Sequence, residues 1–312
     1  MNAKEVGKKL VDYVNRGETN KALSELYSKD IVSVEAAGNP EMAVNNLLGG
    51  VAFQVLVLAI ADMAIGREAL TALVPSPKVM LHAVISIVLL TLAAIGAILG
   101  DIAIPLLSVG VFPALIVGIY LLSLWLIRHE GSGRGWKPTD KPEPPAPAVR
   151  FEALSNRSLA LSTIATAAVI LAAGYALTRS AEAAAAQTGL GTGLLGLTFL
   201  AAATSLPELS TAIAAVRMRR AEMAIGDVLG GNMFDCVLIL LVDFIYVGGL
   251  ALGSVGSDTV LAALMAVLLT GFYLIGLIER RDRTVFNMGY DSFAVLIVYI
   301  GGMAAIVAGL GS

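Results

Sequence analysis

The sequence predicts an all-α membrane protein, an inverted-repeat helical bundle of about eight transmembrane helices. Three observations predict it. Hydrophobic residues make up 57% of the 312 and charged residues only 14%, with a mean hydropathy of +0.82; a soluble domain carries about a quarter charged residues. Eight apolar runs are each long enough to cross about 30 Å of hydrocarbon at about 1.5 Å per residue. Finally, a segment beginning at Glu41 recurs, without gaps, from Glu222 onward.

The runs fall at 47–66, 79–99, 102–127, 159–178, 190–216, 228–249, 259–278 and 288–310. Between the third and fourth lies 128–158, "RHEGSGRGWKPTDKPEPPAPAVRFEALSNRS", rich in Pro, Gly and charge. It reads as a solvated linker that divides the membrane region into three helices (41–127) and five (159–312). If the loops alternate sides, one side holds Arg67, Lys78, six basic residues of the linker, Arg217, Arg219, Arg220, Arg280, Arg281 and Arg283, whereas the other side's loops hold Arg179 alone. The basic side is therefore expected to be cytoplasmic, the linker included. The polar N-terminal tail breaks this pattern: it carries Lys4, Lys8, Lys9, Arg16, Lys21 and Lys29, has no apolar stretch of signal-peptide type, and falls on the opposite side.

Other function classes are disfavoured by composition. A net charge of −3, with no basic cluster interleaved with aromatics, gives no footprint for nucleic acid. Cys236, the sole cysteine, cannot form an internal disulfide. His82 and His129 lie away from the repeated segments, and the tail has no histidine, so an enzyme is not expected.

In the repeat, "EMAVNNLLGGVAFQVLVLAIAD" (Glu41–Asp62) aligns on "EMAIGDVLGGNMFDCVLILLVD" (Glu222–Asp243) with 8 identities in 22 positions, including Glu-Met-Ala, Leu-Gly-Gly, Phe and the final Asp. The two copies are expected to cross the membrane in opposite directions, as in secondary transporters whose substrate sites lie where inverted repeats meet. The alignment also decides how to read "GNPEM" at 38–42. Glu41 pairs with Glu222, an acid at a helix mouth, so it is expected to be a dipole-favoured helix start and not a buried ligand.

The segment best suited to chemistry is "GLGTGLLGLTFLAAATSLPELSTAIAAV". Leu190–Val216 is 27 residues, about 40 Å if straight, so it must tilt or break, and Pro207 supplies a break by removing one N–H and crowding the carbonyl of Ala203. Thr204, Ser205 and Glu208 flank it; hydroxyls, carbonyls and a carboxylate are hard donors suited to Na⁺ and Ca²⁺. An ionisable group at mid-membrane needs a partner or a cavity. In the next helix Asp227 suits the helix start, Asp235 lies about 12 Å deeper, and Asn232 shares its face. Glycines 189, 193, 230 and 231 are expected to admit close helix approach.

Pro207 and Glu208 in "TSLPE", followed 27 residues after the Glu by the Asp of "GGNMFD", resemble the second alpha-repeat of the sodium/calcium exchanger family of cation antiporters. The resemblance covers about Glu41 to the C-terminus and implies a fold of ten helices in two inverted halves. It implies that the Ala201 carbonyl, Thr204, Ser205, Glu208, Asn232 and Asp235 coordinate the transported ions, with Gln54 at the first-repeat position equivalent to Asp235, where the family usually has Asn. Gly50 and Gly231 stand where Ser is common, and Val51 replaces the Asn matched by Asn232.

The implied function is secondary active antiport of Ca²⁺ against Na⁺, or H⁺, by alternating access. The expected partners are these ions and the lipid bilayer, no cofactor is required, and the expected location is the plasma (inner) membrane of a prokaryote. Two helices of the family pattern, one carrying a second Pro-Glu motif, are missing before Glu41. In their place "VGKKLVDYVNRGETNKALSELYSKDIVSVEAAGNPEM" resembles the opening helix and strand of a polyketide-cyclase-like domain of the NTF2-like fold. Residues 1–40 thus read as a soluble fragment, not independently folded, that replaces two helices by fusion or truncation. Exchange is then expected to be weak, and the alternative is a transport-dead exchanger-like scaffold.

The charge asymmetry makes a topological prediction. In a protein lacking Cys236, Ser132→Cys and Arg281→Cys should react with impermeant thiol reagents from the cytoplasmic side and Gly253→Cys from the other; labelling of position 253 from the cytoplasm alone would overturn the helix count.

Overall fold

The computed structural model describes residues 39–129 apart from 66–67, 75–76 and 106–108, scattered positions between 161 and 187, and 192–310 apart from 247, 281 and 282. The expected soluble fragment up to residue 38, the linker from residue 130 and most of the span at 159–178 lie outside the described residues, as does Gly189.

Nine α-helices are described: α1 (Pro40–Met63), α2 (Lys78–Leu99), α3 (Val111–His129), α4 (Thr192–Leu195), α5 (Ala201–Thr204), α6 (Leu206–Arg217), α7 (Ala221–Ile245), α8 (Ser257–Glu279) and α9 (Tyr290–Leu310). A π-helical turn, Gly196–Leu200, joins α4 to α5. A two-stranded hairpin, β1 (Thr284–Val285) with β2 (Met288–Gly289), precedes α9. Counting the broken element at 193–217 once, seven helical segments are long and apolar enough to span a membrane among the described residues, and the protein is a multi-pass integral membrane protein.

Several boundaries differ from those read off the apolar runs. α1 and α7 begin seven residues earlier, at Pro40 and Ala221. Hydropathy marks where lipid is tolerated, whereas a helix starts where its first N–H groups are capped. Asn39 is that cap for α1, its Oδ1 accepting from the Met42 N–H at 3.0 Å, with Pro40 in the first turn. Glu41 therefore stands in the first helical turn, as expected. Asp227, expected at a helix start, lies in the second turn of α7. The run from 102 does not begin a helix: Ala103 and Gly110 form an isolated antiparallel bridge, and α3 starts only at Val111.

Helix α1 is the centre of the bundle. Most of its residues are buried, and it touches α6, α7, α8, α9 and the π-turn. α3 and α9 lie at the periphery with most of their surface outward. A helix apolar on every side is buried on every side, and the polar residues of α1 reach partners distant in sequence. Asn45 donates to Asp258 (2.7 Å) and accepts from the Thr259 hydroxyl (2.6 Å).

The internal repeat is realised bond for bond. Asp62 accepts the N–H groups of Leu70 and Gly289, and its counterpart Asp243 accepts those of Ala251 and Gly110, all at 2.7 Å. Leu70 and Ala251 are themselves equivalent at the offset that pairs Glu41 with Glu222. α2 and α8 end alike, in left-handed caps at Gly100 and Arg280. Glu68, just beyond α1, pairs with Arg219 just before α7 at 2.7 Å, so the two copies run in opposite directions. That end of the bundle also carries Arg217, Arg220, Arg280 and Arg283.

Backbone-to-backbone contact fixes α1 against the π-turn. A Cβ on Gly49 would stand 2.6 Å from the Leu197 carbonyl oxygen, and one on Gly196 would stand 2.8 Å from that of Met42. Of the glycines expected to allow close approach, Gly193 does so against Glu41, Asn45 and Asp258, Gly231 faces Gln54 at ordinary contact distance, and Gly230 has open space. Gly49→Ala should therefore lower the melting temperature of the detergent-solubilised protein by several degrees, the effect of roughly 1–3 kcal/mol of overpacking, whereas Gly230→Ala should leave it unchanged or raise it. Equal effects at the two positions would contradict this packing.

Candidate ion-binding site

The break in the fifth membrane segment is centred on Ser205, whose backbone (φ −93°, ψ 4°) leaves the helical region between α5 and α6. Pro207 sits in the first turn of α6, where its missing N–H costs no helical bond. Glu208 follows, in the same turn.

At this break the expected residues converge with α1 and α7. Gln54 donates its amide N–H to Asp235 Oδ2 at 3.1 Å, a bond between the two positions that the repeat makes equivalent. Asp235 also lies within electrostatic reach of Glu208. Gln54, Ser205, Asn232 and Asp235 are all buried. The two departures to glycine flank the same region: a Cβ on Gly50 would be 4.0 Å from Ser205 Oγ, and one on Gly231 would be 3.5 Å from Gln54 Oε1. Val51 is buried among apolar side chains and brings no oxygen.

Several polar atoms here are buried with no hydrogen-bond partner among the described residues: Gln54 Oε1, Glu208 Oε2, and both Oδ1 and Nδ2 of Asn232. Each such group costs about 1–3 kcal/mol in a folded protein that gives it nothing to bind. Three of the four atoms are oxygens, one of them on the same amide that donates to Asp235. No trio of His, Cys, Asp or Glu side chains converges among the described residues, so the donor set mixes carboxylate, amide and hydroxyl.

The Ala201 carbonyl is engaged at both lone pairs, by the Ser205 N–H and the Thr204 hydroxyl, each at 3.2 Å. The single Thr204 hydroxyl proton has three acceptors, Leu200 O (3.0 Å), Ala201 O (3.2 Å) and Asn46 Oδ1 (3.2 Å). Turning that proton to Leu200 or Asn46 frees a lone pair on Ala201.

Sequence reasoning missed Asn46 and understated Asp227. They are equivalent in the repeat, and both reach the broken element, Asn46 through Thr204 and Asp227 through its electrostatic effect on Glu208. The signal was available in the alignment, where "NN" meets "GD" one to two turns before the glycines. The π-turn has no sequence signature of its own.

Residues 158–308 match the family described as sodium/calcium exchanger protein. The putative antiporter CaxA of Alkalimonas amylolytica is 29% identical over 198 residues, 60% of this chain and 57% of its own. The sodium/calcium exchanger MaX1 of Methanosarcina acetivorans is 29% identical over 153 residues, 48% of this chain and 43% of its own. The chain thus spans about half the length of these relatives. Among solved structures, the H⁺/Ca²⁺ exchanger CAX superposes with a TM-score of 0.62 over 98% of this chain and 80% of its own, at 15% identity, a likeness of fold. The inverted repeat, the TSLPE break and the match over residues 158–308 make this chain similar to the sodium/calcium exchanger family.

Proposed function

We propose that the protein is a secondary active cation antiporter that moves Ca²⁺ against Na⁺ or H⁺ by alternating access. The observation that carries this reading is the group of orphaned buried oxygens, from Gln54, Asn232 and Glu208, gathered around Asp235 beside a broken helix. An unpaired carboxylate in a low-dielectric interior is strongly unfavourable, and a bound cation relieves it. Hard oxygen donors of this kind suit Na⁺ and Ca²⁺. The names of the similar proteins, an antiporter, a sodium/calcium exchanger and an H⁺/Ca²⁺ exchanger, support the same substrate class.

In this reading the ion is coordinated by Glu208 and Asp235, whose two charges match one Ca²⁺, with Gln54 Oε1, Asn232 Oδ1, Thr204, Ser205 and the Ala201 carbonyl completing the shell. Na⁺ or H⁺ competes for the same carboxylates, so only one kind of cargo is carried at a time. No covalent step is needed. The break at Ser205 lets α6 tilt relative to the π-turn, which α1 holds, without unmaking a continuous helix.

Transport in vesicles tests this. Glu208→Gln and Asp235→Asn should each lower Na⁺- or H⁺-gradient-driven Ca²⁺ uptake by at least tenfold, since each removes one of two charges that compensate the divalent ion. Uptake equal to that of the unaltered chain in either variant would sink the site assignment. Absence of gradient-driven uptake by the unaltered chain would instead favour the scaffold reading.

A further inference from the structure

The repeat-related aspartates Asp62 and Asp243 make the same backbone bonds, yet the surroundings of Asp62 contain more. At the basic end of the bundle the carboxylate of Asp291, at the start of α9, lies against both Gly276 and Gly289, beside Asp62. Thr71 lies beside Asp291 and Ser292 beside Asp62, and all four are buried or nearly so. Tyr273 of α8, three residues before Gly276 and so on the same face, is fully buried and feels the charges of Asp291 and Asp62. Its hydroxyl has no hydrogen-bond partner among the described residues, and neither has Asp291 Oδ2. The first-repeat position equivalent to Tyr273 is Leu92, so this phenol is no requirement of the repeated architecture.

Two buried carboxylates, a phenol and two hydroxyls gathered from α1, the 3₁₀ turn Leu70–Leu73, α8 and α9 are costly without a compensating charge. Glu279 adds further negative charge near Asp291. We propose that Asp62, Asp291, Tyr273, Thr71 and Ser292 form a second cation site, for a hard cation such as Na⁺ or Ca²⁺. It is separate from the site at Asp235: Asp62 lies eight residues beyond Gln54 on α1, about 12 Å along the helix. Five neutral or anionic oxygen groups from four elements are the donor chemistry such ions take. A cation held there ties the end of α1 to α8 and α9 on the side expected to face the cytoplasm.

The test uses the full chain with Glu208→Gln and Asp235→Asn together, so that the central site is disabled and its own assignment does not enter. Melting is followed in detergent with NaCl or CaCl₂ against N-methyl-D-glucamine chloride at equal ionic strength. A saturable rise of several degrees is expected with at least one of the two salts, as for any ligand that binds only the folded state, and which salt produces it identifies the ion. Adding Asp291→Asn should abolish the rise, and adding Tyr273→Phe, which removes one oxygen and no packing, should weaken the apparent affinity at least tenfold. Unchanged helical circular dichroism certifies that each variant is folded. No cation-specific rise in the double variant, or a rise that survives Asp291→Asn or is unaltered by Tyr273→Phe, overturns the proposal.

Discussion

The close approach of α1 to the π-turn is the constraint on which the rest of the centre depends. Gly49 and Gly196 each bring one backbone within van der Waals range of the other's carbonyl, leaving no room for a side chain. That contact sets where α1 sits, and α1 carries Gln54 to Asp235 and Asn46 to Thr204. Without it the broken element would stand one side-chain layer away, and the amides of α1 could not reach the hydroxyl and carboxylate they meet. Hydrocarbon gives helices no hydrophobic reason to associate with one another, so small residues and interhelical polar bonds supply the specificity.

The polar residues of α1 divide by what they bind. Asn45 is closed off by Asp258 and Thr259 and acts as a joint between helices, whereas Asp62 accepts two backbone N–H groups and also borders the second acidic cluster. Gln54 is half satisfied: its N–H is used and its oxygen is not. A half-satisfied group in a dry interior is costly, and Asn232 and Glu208 also carry buried atoms with no hydrogen-bond partner among the described residues.

Much of this was legible in the sequence. The 22-residue repeat predicts the antiparallel α1 and α7 and makes Asp62 equivalent to Asp243 and Gln54 to Asp235; that the last two meet is a finding of the structure, for equivalent positions near the middle of an inverted pair face each other across the axis. Pro207 marks the break. Less could be read where structure depends on partners far along the chain. Asn46 looked like an ordinary residue of an apolar helix until Thr204, 158 positions on, was brought beside it. The run from 102 is as apolar as a span, yet Ala103 bridges Gly110, whose N–H is taken by Asp243, 133 positions on. Helix starts were misplaced because apolar runs report the solvent, not the caps.

The central claim is that a hard cation binds between Glu208 and Asp235, and anomalous diffraction from crystals of the full chain soaked in Sr²⁺ locates such an ion directly. The account predicts a peak within about 2.3–2.6 Å of carboxylate oxygens of both residues, lost when Na⁺ is added in large excess. Density that is absent from this position in well-diffracting crystals, or a peak there that persists in the Asp235→Asn protein, would contradict it.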